Sequence, residues 1–517
     1  MPNPELLEQA FTRAAGAPLV EGNAVRVLKD AAENYPAWLE AIRGAEHTVL
    51  LENYLFMEDE VGLEFQRALI ERARDGVSVR VIYDWLGSLL RASASYWSAL
   101  RAAGVDVRCF NPPRLVAPFG ALHRDHRKML AVDGRVGFIT GLCIGRPWIG
   151  DPERGVAPWR DTGIEVRGPA LHDIEQAFAQ AWGTVGAALP AHEQIDRHSI
   201  PVSGNVALRI VASAPGLAAV LRLDQLVAAA ARRTLWLTDA YFAGIPWYVQ
   251  ALQSAARDGV DVRLLVPGAT DIAVLRPLSA AGYRPLLEAG VRVFEWKGSM
   301  LHAKTAVADG RWARIGSSNL NISSWMGNFE LDAVVEDAAV AAAMQEMYLA
   351  DLARSTEIVL ARRRGLASMP YRRRQRVRDD RTGEPVLAEQ RGSASRAAAG
   401  ALRIGRTVSA ALSEQRVLAP TEARLVGGVA LLLVVTAAAV VVWPLIAAVP
   451  AALLLVWAAA ALCAKALALR RERRERGLPT TTVVRAASAP DGSVVSRPDT
   501  AGRSPDSAPP GTGDPLT

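Results

Sequence analysis

Residues 301–319, LHAKTAVADGRWARIGSSN, place His302, Lys304 and Asp309 at H-x-K-x4-D spacing. The alternating pattern reads as a β-strand, which puts His302 and Lys304 on one face. Asp309-Gly310 then reads as a hairpin turn, and a strand around Ala313 to Ile315 returns Ser317 and Asn319 to the same spot. An imidazole, an ammonium and neutral donors converging on one point suit a phosphate.

The pattern occurs twice. HRDHRKMLAVDGRVGFITG carries His126, Lys128 and Asp133 at the same spacing, again followed by glycine, a strand and Gly141. With seven histidines and five lysines in 517 residues, a second match is hard to attribute to chance. Other stretches repeat as well. Thr48 to Phe56 (TVLLENYLF) resembles Thr234 to Phe242 (TLWLTDAYF), and Ala73 to Ile82 (ARDGVSVRVI) resembles Ala256 to Leu265 (ARDGVDVRLL). A period this long excludes a solenoid and implies two copies of one α/β domain. One histidine motif per copy, facing across a pseudo-two-fold axis, makes one site from two halves.

Half of the residues are apolar, so large cores are available, and the net charge of +6 fits an anionic partner. Cys109, Cys143 and Cys463 are odd in number and scattered, which indicates no disulfide framework and a reducing compartment. No basic n-region with an apolar core opens the chain, so no secretory signal is expected. C-x-x-C, H-E-x-x-H and G-x-x-x-x-G-K-[ST] patterns are absent, which argues against a metal centre or a nucleotide-binding loop.

Past residue 360 the character changes. Residues 361–424 hold 15 arginines against 6 acidic residues, a local balance of +9 that suits anionic lipid headgroups. Residues 425–463 contain no charge over 39 positions, long enough for two membrane spans with a turn between Pro444 and Pro450. Arg424 on one side and the Arg470 to Arg476 run on the other favour a hairpin with both ends in the cytosol. The Pro-, Ser-, Thr- and Gly-rich remainder reads as a disordered tail. The expected division is 1–198 and 199–360 for the two α/β domains, 361–424 for a basic linker, 425–463 for a transmembrane helical hairpin and 464–517 for the basic, then disordered tail.

Across about residues 20 to 350 the chain resembles the phospholipase D superfamily, and within it the bacterial cardiolipin synthases. RDHRKMLAVDG with the later WRDT, and LHAKTAVADGRWARIGSSNLN with the later NFELD, carry the resemblance. It implies a pseudo-two-fold pair of α/β/α sandwich domains, one interfacial site, and neither metal nor other cofactor. It also implies that His126 attacks phosphorus and His302 acts as acid and base, with Lys128 and Lys304 on the non-bridging oxygens. Asp133 and Asp309 complete the catalytic set, Ser317 and Asn319 bind substrate, and Asp161 and Glu330 orient the histidines. One departure stands out: Cys143 occupies the place where the first half of such proteins usually has an asparagine, the counterpart of Asn319. The expected activity is phosphatidyl transfer between phospholipids at the cytoplasmic face of a bacterial membrane. The alternatives are a phospholipase D, then a nuclease or a non-catalytic scaffold; the basic run lacks interleaved aromatics for stacking on bases, so no nucleic-acid partner is expected.

Overall fold

The computed structural model describes residues 4–113, 123–271, 275–361 and 365–370. Helix α1 (Pro4–Ala15) leads into β1 (Val20–Lys29), α2 (Asp30–Arg43), β2 (Thr48–Asn53), α3 (Glu60–Arg74) and β3 (Ser78–Asp84). The single turn α4 (Trp85–Ser88), α5 (Ala94–Ala102), β4 (Asp106–Phe110), β5 (Lys128–Val132), β6 (Val136–Thr140), β7 (Thr162–Arg167) and α6 (Leu171–Thr184) follow. The order then recurs as β8 (Val206–Ser213), α7 (Ala219–Ala230), β9 (Thr234–Thr238), α8 (Pro246–Arg257), β10 (Asp261–Pro267), α9 (Leu275–Glu288) and β11 (Arg292–Trp296). The last elements are β12 (Thr305–Ala308), β13 (Trp312–Gly316), β14 (Glu330–Val335), α10 (Ala338–Ala353), β15 (Ser355–Ala361) and β16 (Gly365–Pro370).

Strand order shows the duplication directly. Along the hydrogen-bonded array it runs β16-β15-β11-β10-β9-β12-β13-β14-β8-β1-β7-β6-β5-β2-β3-β4, so β8-β14-β13-β12-β9-β10-β11 mirrors β1-β7-β6-β5-β2-β3-β4 about the β8–β1 junction. Strands β2, β3 and β4 are parallel, as are β9, β10 and β11, because α3, α5, α8 and α9 supply the crossovers. The β5–β6 and β12–β13 pairs are hairpins. Each turns on an Asp-Gly pair in the left-handed region, Asp133-Gly134 at φ 53° and 60° and Asp309-Gly310 at 51° and 65°.

Apolar periodicity accounts for the layers. Trp38, Ile42, Phe65 and Leu69 of α2 and α3 pack on one face of the first half, and α1, α7, α8 and α9 cover the second in the same way. Between the halves lies one shared core. Trp182 and Phe178 of α6 join Tyr348 and Leu352 of α10 and strand residues from both halves, such as Ile139 and Ile315. Each such side chain contributes about 1.5–3 kcal/mol when removed from water, so the two copies stabilise each other.

Two expectations need adjustment. The strands begin after the histidines rather than at them: β5 starts at Lys128 and β12 at Thr305, because the preceding residues bridge to the opposite half instead of extending the local ladder. The expected membrane hairpin at 425–463 lies outside the described residues, among which no helix is long and apolar enough to cross a membrane.

Candidate active site

Two short parallel bridges stitch the halves together where the histidines lie. The amide of His126 donates to the Phe329 carbonyl (2.9 Å) and that of Phe329 to Arg124 (2.8 Å). At the second bridge the first-half Arg160 donates to the Met300 carbonyl (2.9 Å) and His302 to that of Arg160 (2.7 Å). These bridges carry carboxylates across. Glu330 Oε2 lies 2.9 Å from His126 Nδ1, and Asp161 Oδ2 lies 2.7 Å from His302 Nδ1. Each half's histidine is therefore oriented by the other half's carboxylate, and an imidazole held at Nδ1 leaves Nε2 as its reactive nitrogen.

Further residues fix these carboxylates. Glu330 accepts from Ser317 Oγ (2.5 Å) and Asn328 Nδ2 (3.1 Å), while Asp161 accepts from Trp148 Nε1 (3.0 Å) and the Thr162 amide (2.9 Å). Burial by itself would raise both carboxyls, but the facing histidine and nearby lysine hold Asp161 and Glu330 below the ordinary range. The Asp161 carboxylate also fills the space beside Gly141, where a Cβ would sit 2.1 Å from Oδ1. That explains the glycine.

Lys128 and Lys304 are buried, and their ammonium groups donate to the carbonyls of His126 and His302 respectively. Lys304 Nζ also lies 3.0 Å from His302 Nδ1. Burial, with the Lys128 charge opposing and Asp161 supporting its proton, brings Lys304 down to about 8. Burial and the lysines also disfavour protonated imidazole: His126 is lowered, and His302 falls to about 3. An anion arriving here meets two ammonium groups and two neutral imidazoles, and its negative charge would restore proton affinity to the histidines.

The remaining expectations divide. Ser317 donates to Glu330 and its Oγ accepts from the Leu331 amide, so it supports a carboxylate. Asn319 is buried near its Ser324 contact, with Oδ1 left without a donor. Cys143 is buried, and its thiol is raised by burial against the pull of both lysines. Asp133 and Asp309 do not reach the histidines. They occupy the far ends of β5 and β12, five residues past Lys128 and Lys304, which at about 3.3 Å per residue is some 16 Å away. The Asp133 carboxylate accepts from the amides of Glu46, His47 and Thr48 (2.8, 2.8 and 2.7 Å), and Asp309 from those of Arg232, Arg233 and Thr234 (2.9, 2.7 and 2.9 Å). Their work is to hold the starts of β2 and β9.

Several site neighbours escape a reading of motifs. Tyr54 and Tyr241 place their rings 5.1 Å from His126 and 5.7 Å from His302. Both stand in the repeated TVLLENYLF and TLWLTDAYF stretches, so a signal was present. Trp148 and Trp159 lie 5.4 and 5.7 Å from His302, on a loop without periodicity. Glu52 and Asp125 are fully buried, with Glu52 Oε1 and Oε2 and Asp125 Oδ2 lacking donors. Burial raises both, Glu52 further through the charge of Asp125 and Asp125 to about 7 with the charge of Asp84 adding, while Arg127 opposes the rise in each. The Arg127 guanidinium that opposes this rise donates to the carbonyls of Glu330, Ala177 and Ser213 and to Gln180 Oε1.

A family model described as "Cardiolipin synthase, PLD-like domain" matches residues 38–146 and 225–352. A cardiolipin synthase of Halalkalibacterium halodurans is 32% identical over 361 residues, covering 68% of this chain and 71% of the relative. Cardiolipin synthase A of Pseudomonas aeruginosa is 32% identical over 362 residues, covering 69% and 73%. Among solved structures, the phosphatidylserine synthase of Haemophilus influenzae superposes with a TM-score of 0.53 at 14% identity, over 71% of this chain and 92% of that one. Duplicated topology and paired His-Lys motifs, together with these matches, place the protein in the phospholipase D superfamily. Within it, the chain belongs to the cardiolipin synthase family.

Proposed function

We propose that the chain is a phosphatidyltransferase acting through a phosphohistidine. His126 Nε2 attacks the phosphorus of a phospholipid such as phosphatidylglycerol, and the P–O bond to the headgroup alcohol breaks. His302, which has taken up a solvent proton on Nε2 once the lipid phosphate is bound, gives that alkoxide its proton. The hydroxyl of an acceptor, the glycerol end of a second phosphatidylglycerol, then returns a proton to His302 and attacks phosphorus, which breaks the P–N bond and frees His126. Lys128 and Lys304 stabilise the charge on the non-bridging oxygens. The observation that carries the reading is the crossed pairing of Glu330 with His126 and Asp161 with His302, which leaves both Nε2 atoms for chemistry.

Purified chain supplied with labelled phosphatidylglycerol should yield cardiolipin by mass spectrometry, and His126→Ala and His302→Ala should each abolish it. Phosphatidic acid as the sole product would instead make water the acceptor and the protein a hydrolase. The assignment of the two histidines follows the family resemblance; a phosphopeptide trapped on His302 would reverse it. The domain division at 198/199, the basic linker and the 425–463 hairpin complete the proposal, with the hairpin tethering the site at the cytoplasmic face of the membrane.

A further inference from the structure

Among the described residues, twelve large apolar side chains stand exposed, and seven of them lie on segments that carry or pack against neighbours of the two histidines. Leu86, Leu89 and Leu90 lie on and just after α4, which packs so closely on Tyr54 that a Cβ on Gly87 would meet the Tyr54 carbonyl at 2.1 Å. Tyr54 is the ring beside His126. Ile149 follows Trp148, and Val156 pairs with Asp151 in the loop that ends at Trp159, both tryptophans being neighbours of His302. Ile322 and Met326 flank the turn after Asn321, whose Nδ2 donates to the Tyr241 carbonyl, and the Tyr241 ring lies 5.7 Å from that of His302.

Leu90 is the most telling of them. It is 95% exposed and has a φ of 58°, a left-handed conformation that costs a leucine about 1–2 kcal/mol. Asparagine or glycine would suit both the backbone and the water better. A folded chain that holds a leucine outward in this way has a use for it.

We infer that this apolar collar is a membrane-docking face that inserts into a phospholipid bilayer around the catalytic centre. The inference rests on the phospholipid reading of the site. A centre for a phosphate whose neighbouring segments expose apolar side chains matches an amphiphile, with the headgroup between the lysines and the acyl chains against the leucines. Arg91 stands exposed next to Leu90 and suits an anionic headgroup layer. The uncharged stretch at 425–463 would hold the chain near a bilayer, and the collar would orient the site toward it.

Two measurements on the full chain test this. Reconstituted in phosphatidylglycerol vesicles doped with a phosphatidylcholine carrying photoactivatable acyl chains, the protein should take up acyl adducts on peptides covering 85–91 and 146–157. The peptide around Val202, exposed but far from the site, should take none. Adducts confined to other segments would overturn the docking face whether or not the protein transfers phosphatidyl groups. In the second measurement, Leu86→Ser/Leu90→Asn should raise the apparent KM for vesicle phosphatidylglycerol at least about tenfold while leaving turnover of a monomeric short-chain phosphatidylglycerol unchanged. Equal loss on both substrates, or no loss on either, would defeat the proposal. A wild-type chain inert on every phospholipid would instead count against the proposed reaction, and the adduct map would then decide the docking face by itself.

Discussion

On one nitrogen of His302 a carboxylate and an ammonium compete. Asp161 at 2.7 Å favours the imidazolium and Lys304 at 3.0 Å opposes it, and burial adds to the opposition. The site is thus poised to take a proton only when an anion arrives, and the position of Asp161 decides how well. Gly141→Ala tests that dependence, because its Cβ would meet the Asp161 carboxylate at 2.1 Å. The carboxylate must move, His302 turns with it, and kcat should fall by on the order of 10²-fold, as when a catalytic geometry shifts by an ångström. Thermal unfolding should shift far less than activity. Gly327→Ala, with nothing within 4 Å of its Cβ, serves as the neutral control. An active Gly141→Ala enzyme would show that Asp161 does not need its present place.

At the scale of elements, the H-x-K-x4-D pattern carries two jobs in one motif. In the proposed reaction its first two residues do the chemistry, while its aspartate serves the hairpin: from a left-handed turn position Asp309 accepts from the amides of Arg232, Arg233 and Thr234 at the start of β9. Asp309→Ala should therefore destabilise the protein by about 2–4 kcal/mol through lost hydrogen bonds and backbone strain, while the folded fraction keeps its kcat. Chemical denaturation and active-site titration separate the two effects. Helix α6 offers a pH-dependent counterpart. Burial and then the charge of Asp133 raise Glu175 from 4.5 to about 7, and its Oε1 is buried without a donor. Since the folded pKa lies above the unfolded one, the stability linked to this group is full below pH 4.5 and is lost as pH rises through 7. Glu175→Gln should be more stable than wild type at pH 8 by about 1–3 kcal/mol, with the gap shrinking toward pH 4.5 in melting experiments. The duplication and the two histidine motifs were legible in the sequence because they repeat. What spacing does not reveal is direction: it cannot tell that the aspartates face away from the histidines, or that Ser317 supports Glu330.

For the whole molecule, the decisive facts are pairings between the halves, and no local pattern encodes them. Glu330 with His126 and Asp161 with His302 depend on how two sheets dock, as does Arg160. That arginine, from the first half, bonds Asp351 of α10 in the second half through Nε at 3.1 and 3.0 Å and reaches Asp30 at 3.1 Å, while its carbonyl accepts from the His302 amide. Both Arg160 and Asp351 are buried, so removing one leaves the other charged and without this partner. Arg160→Met should cost about 3–5 kcal/mol. Arg160→Met/Asp351→Leu should recover much of that loss, because a buried pair replaced by apolar groups is often close to neutral. Activity should not return with stability in the double variant, since the arginine also positions the segment that carries Asp161. If the two halves stabilise each other through their common core, urea unfolding followed by far-ultraviolet circular dichroism and by tryptophan fluorescence should give one coincident transition in wild type and in the double variant. Two separated transitions would mean that each half folds alone, and the crossed carboxylates would then be a late docking event rather than part of the fold.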